Sequence, residues 1–246
     1  MKRSELFSRH ARDYSGSASF SGGKDLSRLI ELMNPGASWK VLDVATGTGF
    51  TAFAVSRTCS SVTGMDTSAE MLAEARRLAS ESGSNGVSFI IGSAEQMPVA
   101  DRSIDFITCR RAAHHFAEKD RFLSESARIL TAGGGLGIVD MLSPDGFVEE
   151  YNRLERLRDD SHETAEDLHG WLELVEASGF RVDAFEVNEE RQDFEKWATP
   201  LELDGKAAAE CRRYLQQSEP DFAEAISLEN DLSFVKRRMV LICRKA

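Results

Sequence analysis

Two carboxylates at strand ends, a glycine turn and a pair of adjacent histidines are the residues of this chain best placed to do chemistry. In VLDVATGTGF (residues 41–50) an acid, Asp43, stands just ahead of a turn containing Gly47 and Gly49. Glycine between a strand and a helix lets the backbone approach a ligand closely. In a dinucleotide site the group held there is a pyrophosphate, seated on the helix N-terminus. A neighbouring carboxylate opposes that, since two unit charges about 4 Å apart interact by roughly 4 kcal/mol at an effective dielectric of about 20. Ala52 also occupies the place of the third glycine of GxGxxG. A ligand with a cationic end and no phosphate removes the conflict. S-adenosylmethionine, with its α-ammonium, sulfonium and adenosine, is such a ligand.

The second acid, Asp66 in VTGMDTS, follows Asp43 by 23 residues. A carboxylate at the end of a second strand can accept hydrogen bonds from both ribose hydroxyls; its alternative is to cap the next helix. Thr67 adjoins it. Met71, one turn further on, can lie against an adenine or pack on the sheet. Ser93, Ala94 and Glu95 in GSAEQMP stand where an adenine edge would sit.

Methyl transfer from a sulfonium is an in-line displacement that depends mainly on positioning, which contributes about 7–11 kcal/mol in well-aligned reactions. A general base adds about 10²–10⁴-fold when the acceptor carries a proton. CRRAAHHF (residues 109–116) offers Arg110, Arg111, His114 and His115. Histidine titrates near neutrality, so His115 or His114 can take a proton from a phenol, enol or amine. Alternatively one caps the next helix and the other bonds cofactor or backbone. Asp140 and His162 are further substrate-facing candidates. Arg110 is suited to the cofactor carboxylate or an anionic substrate, and Arg111 to solvent.

These residues need a frame that brings them to one edge. Short apolar strands expected at 40–44, 61–65, 87–91, 104–109, 135–140, 181–187 and 235–244 alternate with amphipathic helices, a pattern that builds a parallel sheet covered on both faces. TSAEMLAEARRLASESG opens with a capping-box spacing, Thr67 to Glu70, and TAEDLHGWLELVEASGF repeats it with Thr164 and Asp167. In the latter, Leu168, Trp171, Leu172 and Val175 share a face, and Gly179 closes the helix. The intervals 142–163 and 188–233 are longer than ordinary connections and carry helical patterns. They leave strand ends at the carboxyl edge, where open α/β folds bind ligands, and are expected to roof the site. Phe194, Trp197, Leu201, Leu203, Tyr214 and Phe222 suggest an apolar roof and an aromatic or hydrophobic acceptor, unless they are simply core. TAGGGLG (131–137) follows a helix and enters a strand, so it reads as a cap and turn at the opposite edge, with Asp105. Near the start, Phe7, Ala11 and Tyr14 are spaced to lay one helix face on the body.

Composition sets the outer limits. The 246 residues, 41% hydrophobic and 29% charged, suit one α/β domain spanning 1–246. A net charge of −11 opposes a nucleic-acid groove. Cys59, Cys109, Cys211 and Cys243 form no CxxC pair; the apolar surroundings of Cys59, Cys109 and Cys243 suggest buried thiols in a reducing cytoplasm, with no metal expected. No apolar run reaches the roughly 18 residues of a membrane span, and no secretory leader is recognisable. The sequence leaves a homodimer open.

VLDVATGTGF, GMDTSAEML, GSAEQMPVADRSIDFITCRRAAHHF and ARILTAGGGLGIVD together resemble successive motifs of class I S-adenosylmethionine-dependent methyltransferases, and most nearly the ubiquinone/menaquinone-biosynthesis group and its small-molecule relatives. The resemblance spans roughly residues 5–187. It implies a doubly wound, Rossmann-like seven-stranded α/β sheet, mostly parallel with an antiparallel last strand, and helical insertions at the carboxyl edge. It also implies that S-adenosylmethionine, leaving as S-adenosylhomocysteine, contacts Asp43, Ala45, Thr46, Gly47, Gly49, Asp66, the Ser93, Ala94 and Glu95 turn and the segment from Arg110. Residues 1–35 become lid helices, with Tyr14 folding over the cofactor. Ala45 replaces a frequent glycine of the group. Ser93 replaces an Asp that bonds the adenine amino group, so Ser93 or Glu95 must substitute. The expected activity is methylation of a small molecule at O, C or N. The main rival is a non-catalytic S-adenosylmethionine sensor or scaffold, told apart by cofactor binding without methyl transfer. A dinucleotide oxidoreductase is disfavoured by Asp43 and Ala52, and nucleic-acid methylation by the charge and by the lack of an NPPY-like tetrapeptide after the fourth strand.

Overall fold

The computed structural model describes residues 23–84, 86–198 and 205–246. Seven strands, β1 (Lys40–Val44), β2 (Ser61–Asp66), β3 (Val87–Ile91), β4 (Ile104–Arg110), β5 (Leu130–Leu142), β6 (Phe180–Gln192) and β7 (Phe234–Lys245), form one sheet in the order β3-β2-β1-β4-β5-β7-β6. Pairings from β3 through β5 are parallel, and β7 lies antiparallel between β5 and β6. The order reverses between β1 and β4, which opens a crevice at their carboxyl ends. Asp43, Asp66 and Arg110 all stand at that edge. The expected fold class holds.

Two strands outrun their expected bounds. The glycine-rich run is not a cap and turn: β5 already begins at Leu130, with a register shift opposite Ile104 and Phe106 and Gly133 at φ 69°. Gly135 and Gly137 serve packing, since a Cβ would lie 2.3 Å from the Phe106 ring at the first and 2.7 Å from Leu29 at the second. The run does lie at the far edge, where Asp105 accepts the Lys40 N–H at 2.8 Å. β6 continues to Gln192, pairing Asn188–Gln192 with β7, so the second insertion loses its first five residues to the sheet.

Helices α1 (Lys24–Met33), α2 (Phe50–Ser56), α3 (Ala69–Ser82), α4 (Lys119–Ile129), α5 (Val148–Arg158), α6 (Leu168–Ala177), α7 (Phe194–Ala198), α8 (Gly205–Gln216) and α9 (Pro220–Ala225) complete the described chain. The α1 helix is a layer helix rather than a lid: Leu29 and Met33 are fully buried with Val139, Val240 and Ile242. The expectations for Phe7, Ala11, Tyr14, Leu201 and Leu203 fall outside the described residues. Both capping residues are displaced from the expected ones. Ser68, not Thr67, accepts the Met71 N–H that starts α3, because Asp66 already holds the Ser68 N–H. Asp167, not Thr164, accepts the Gly170 N–H that starts α6. In α6, Trp171 and Val175 are buried while Leu174, not the exposed Leu172, joins them.

The insertions make their own core. Tyr151 and Leu154 of α5 pack with Phe194, Trp197, Cys211, Leu215, Phe222 and Phe234. The aromatic residues expected to face a ligand are thus largely spent on each other; the Tyr214 hydroxyl donates to the Glu150 carbonyl at 3.0 Å. All four cysteines are free and buried. Among the described residues no helix is long and apolar enough to cross a membrane, and no His, Cys, Asp and Glu group could hold a metal ion.

Candidate active site

The turn after β1 is tied on both sides. Ala45, Gly47 and Gly49 have φ of 53°, 55° and 91°, a region in which glycine costs nothing and alanine is strained. The Thr46 N–H donates to the Met65 carbonyl of β2 at 2.9 Å, and the Thr46 hydroxyl donates to Asp43 Oδ2 at 2.6 Å. From β4 the Thr108 hydroxyl donates to Asp43 Oδ1 at 2.7 Å. Asp43 is 1% exposed. Burial, the largest influence, raises its carboxyl to about 6, against the two hydroxyls and the Arg110 charge. A cation arriving beside it would be rewarded by returning it to the charged form.

Asp66 closes the other side. Its Oδ2 accepts the Gly47 N–H at 2.8 Å and its Oδ1 the Ser68 N–H at 2.9 Å. It orders the start of α3 and remains partly exposed, with lone pairs to spare. Burial raises its carboxyl, and main-chain N–H groups oppose that. A Cβ on Gly47 would meet nothing within 4 Å, so the turn is open at that residue. Two carboxylates around an open turn suit a cationic nucleoside and not a diphosphate.

The other candidates divide. Thr67 is exposed at the rim and Met71 is buried. Ser93 donates to Glu95 Oε2 at 3.3 Å, while Glu95 Oε1 accepts the Ala117 and Glu118 N–H groups, so the pair forms one polar corner. Ala94, only 7% exposed, belongs to the core. The Arg110 guanidinium meets Asp25 of α1, Nε to Oδ2 at 3.3 Å and Nη2 to Oδ1 at 3.1 Å. Arg111 is corrected. It is not solvated but 12% exposed, its Nε 2.7 Å from Asp25 Oδ2. Burial works to raise the Asp25 carboxyl, yet the two arginines hold it at about 2.

Beyond β4 a 3₁₀ turn, Ala113–His115, presents three imidazoles together with His162. The His114 ring centroid is 4.0 Å from that of His115 and 5.5 Å from that of His162. His114 Nδ1 lies 2.5 Å from Asp140 Oδ1, and its main-chain N–H donates to Oδ2 at 2.8 Å. Burial acts to raise Asp140, but His114 and main-chain donors bring it to about 2. A carboxylate accepts, so His114 Nδ1 carries the proton. The other two are different. His115 Nδ1 faces the Ser161 carbonyl at 3.0 Å, and burial, then His114, lower its pKa to about 3. His162 Nε2 lies 2.6 Å from Asn152 Oδ1, an oxygen that also accepts the Ala165 N–H, so Nε2 is the donor. Burial first, with nearby His114 and Lys236, lowers His162 to about 4.

Thr108 and Asp25 escaped the sequence reading. Thr108 could be found by laying β4 beside β1, which sets it opposite Asp43; nothing local marks Asp25, 85 residues from Arg110.

Residues 42–138 match the family model described as a methyltransferase domain. The uncharacterized methyltransferase YcgJ of Bacillus subtilis is 36% identical over 200 residues, 80% of this chain and 76% of that protein. A demethylmenaquinone methyltransferase of Thermotoga maritima is 36% identical over 120 residues, 48% of this chain and 50% of its own. Among solved structures, BH2331 of Bacillus halodurans superposes with a TM-score of 0.86 at 30% identity, covering 91% of this chain and 99% of that one.

Proposed function

The chain belongs to the class I methyltransferase family, and from that premise we propose that it uses S-adenosylmethionine to methylate a small molecule, with His114 as general base. The observation that carries the cofactor assignment is the open glycine turn bracketed by Asp43 and Asp66. Asp66 would hold the ribose hydroxyls and Asp43 would face the α-ammonium. When bound, S-adenosylmethionine supplies a methyl group made transferable by its sulfonium.

The proton of the acceptor falls to His114. Asp140 fixes its tautomer and orients the ring, leaving Nε2 to take the proton. His115 and His162, with pKa values of about 3 and about 4, are poor bases near neutrality and wall the site instead. A sensor or scaffold has no use for an imidazole oriented in this way, so the His114–Asp140 pair favours catalysis. Calorimetric titration with S-adenosylhomocysteine and with NAD tests the cofactor reading. The former should bind and the latter should not; binding of NAD alone would overturn it.

A further inference from the structure

Residues 234, 236, 238, 240 and 242 share one face of β7. At one end of that face Phe234 packs into the roof core, and Lys236 Nζ reaches Glu155 Oε1 of α5 at 2.6 Å. At the other end Val240 and Ile242 pack with Leu29 and Met33 of α1. Arg238 falls between the two supports, at the seam of roof and α1. Its strand neighbours are Met141, next to Asp140, and Asn188.

The carboxylates around this seam have other commitments. Asp25 is shared by Arg110 and Arg111, Glu155 by Lys236 and, at 3.4 Å, Arg158, and Asp140 is held by His114. Arg238, its side chain 24% exposed, is left with Glu190 at 3.9 Å, a side chain 68% exposed. An ion pair so long and so wet contributes little. Burial lowers the Arg238 pKa and Arg111 adds repulsion, while the charges of Asp25, Glu190 and Asp140 oppose them; a guanidinium does not give up its proton. A chain of net charge −11 therefore keeps, near its candidate base, a partly exposed cation whose ion-pair partner among the described residues is the distant Glu190. A second group points the same way. The Tyr151 hydroxyl, in a residue 1% exposed, faces the Glu155 carboxylate without a hydrogen bond of good geometry, and Arg238 is the next charge acting on it. Buried hydroxyls are rarely left so.

We propose that Arg238, assisted by the Tyr151 hydroxyl, binds an anionic group, a carboxylate or a phosphate, on the methyl acceptor. The inference rests on reading this site as that of a methyltransferase. An oxyanion here accepts from the guanidinium and from the phenol, and fixes the acceptor between roof and sheet.

The test titrates the S-adenosylhomocysteine complex of the wild-type protein, Arg238→Lys and Arg238→Gln with benzoate, phenyl phosphate and neutral benzamide. The wild type should bind at least one of the anions about tenfold or more tightly than benzamide, the tighter anion naming the group. Arg238→Gln should lose that preference, Arg238→Lys should keep most of it, and affinity for S-adenosylhomocysteine should change less than about twofold in both. Equal binding of anions and amide by the wild type, or an intact preference in Arg238→Gln, overturns the proposal. So does a loss of S-adenosylhomocysteine affinity in Arg238→Gln, which would assign the guanidinium to the cofactor carboxylate. Failure of the wild type to bind S-adenosylhomocysteine refutes the cofactor reading alone, and the same three titrations on the ligand-free protein then decide the role of Arg238.

Discussion

Asp43 is the residue on which pH acts first. Its carboxyl rises from an ordinary 3.8 to about 6 in the folded protein, so on acidification through 6 it becomes neutral and stops attracting an ammonium. Affinity for S-adenosylhomocysteine should fall below about pH 6, with proton release on binding near pH 6 that vanishes at pH 8. Asp43→Asn should weaken binding about 10–100-fold at pH 8 and flatten the profile, as loss of a hydrogen bond to a charged group implies; calorimetry between pH 5 and 8 reads both. His114→Ala should lower the methyl-transfer kcat by about 10²–10⁴-fold with S-adenosylhomocysteine affinity unchanged, whereas His115→Ala should leave the proton-transfer limb of the pH profile in place. Asp43 and Asp66 stand at strand ends and His114 in the turn after β4, each in a recognisable motif, so the sequence marks them as candidates. The partners that define their states, Thr108 and Asp140, come from other strands, and the tie of Arg110 to Asp25 crosses 85 residues. No local pattern encodes such pairings.

At the scale of elements, the loop between α5 and α6 positions the histidines, and Asn152 is its clamp. The Asn152 amide donates to the Val148 and Ala165 carbonyls and accepts from His162 and the Ala165 N–H. Further along, the Glu163 and Thr164 N–H groups bond the His114 carbonyl. Asn152→Ala should cost about 2–4 kcal/mol by stranding several buried polar groups, measured by urea unfolding, and should lower kcat through His114. Gly64 has a matching role under the turn after β1, where a Cβ would lie 2.8 Å from Thr46 Oγ1. The helices themselves were legible from their apolar period, but their caps moved by one and three residues, to Ser68 and Asp167. Several hydroxyl and carboxylate side chains precede each helix, and tertiary contacts select among them. The insertions after β5 and β6 were legible as helical, yet not as a core of their own, because an apolar face does not name what covers it.

For the molecule as a whole, acid stability follows from the same groups. The unfolded chain protonates His115 and His162 near 6.5, whereas the folded chain holds them neutral down to about 3 and about 4. Stability from these two is present above 6.5 and is lost as pH falls through the window toward 4. Asp43 acts oppositely, since the folded chain takes up its proton near 6 and the unfolded one near 3.8. Asp66, its carboxyl also raised by burial, acts with Asp43, but the two histidine shifts are the larger, so the unfolding midpoint should fall between pH 6.5 and 4. Below about 4 the loss should steepen as Asp140 and Glu155, held at about 2, are protonated. The sheet was legible as a whole because alternating strands and helices admit few topologies, whereas the meeting of roof, α1 and β7 around Arg238 is visible only in three dimensions. The central claim, that an unphosphorylated cationic nucleoside fills the crevice, is tested most directly by a crystal structure with S-adenosylhomocysteine. The account predicts ribose hydroxyls on Asp66 and the ammonium on the Asp43 side of the Gly47 turn; a ligand bound elsewhere, or a diphosphate seated on that turn, would contradict it.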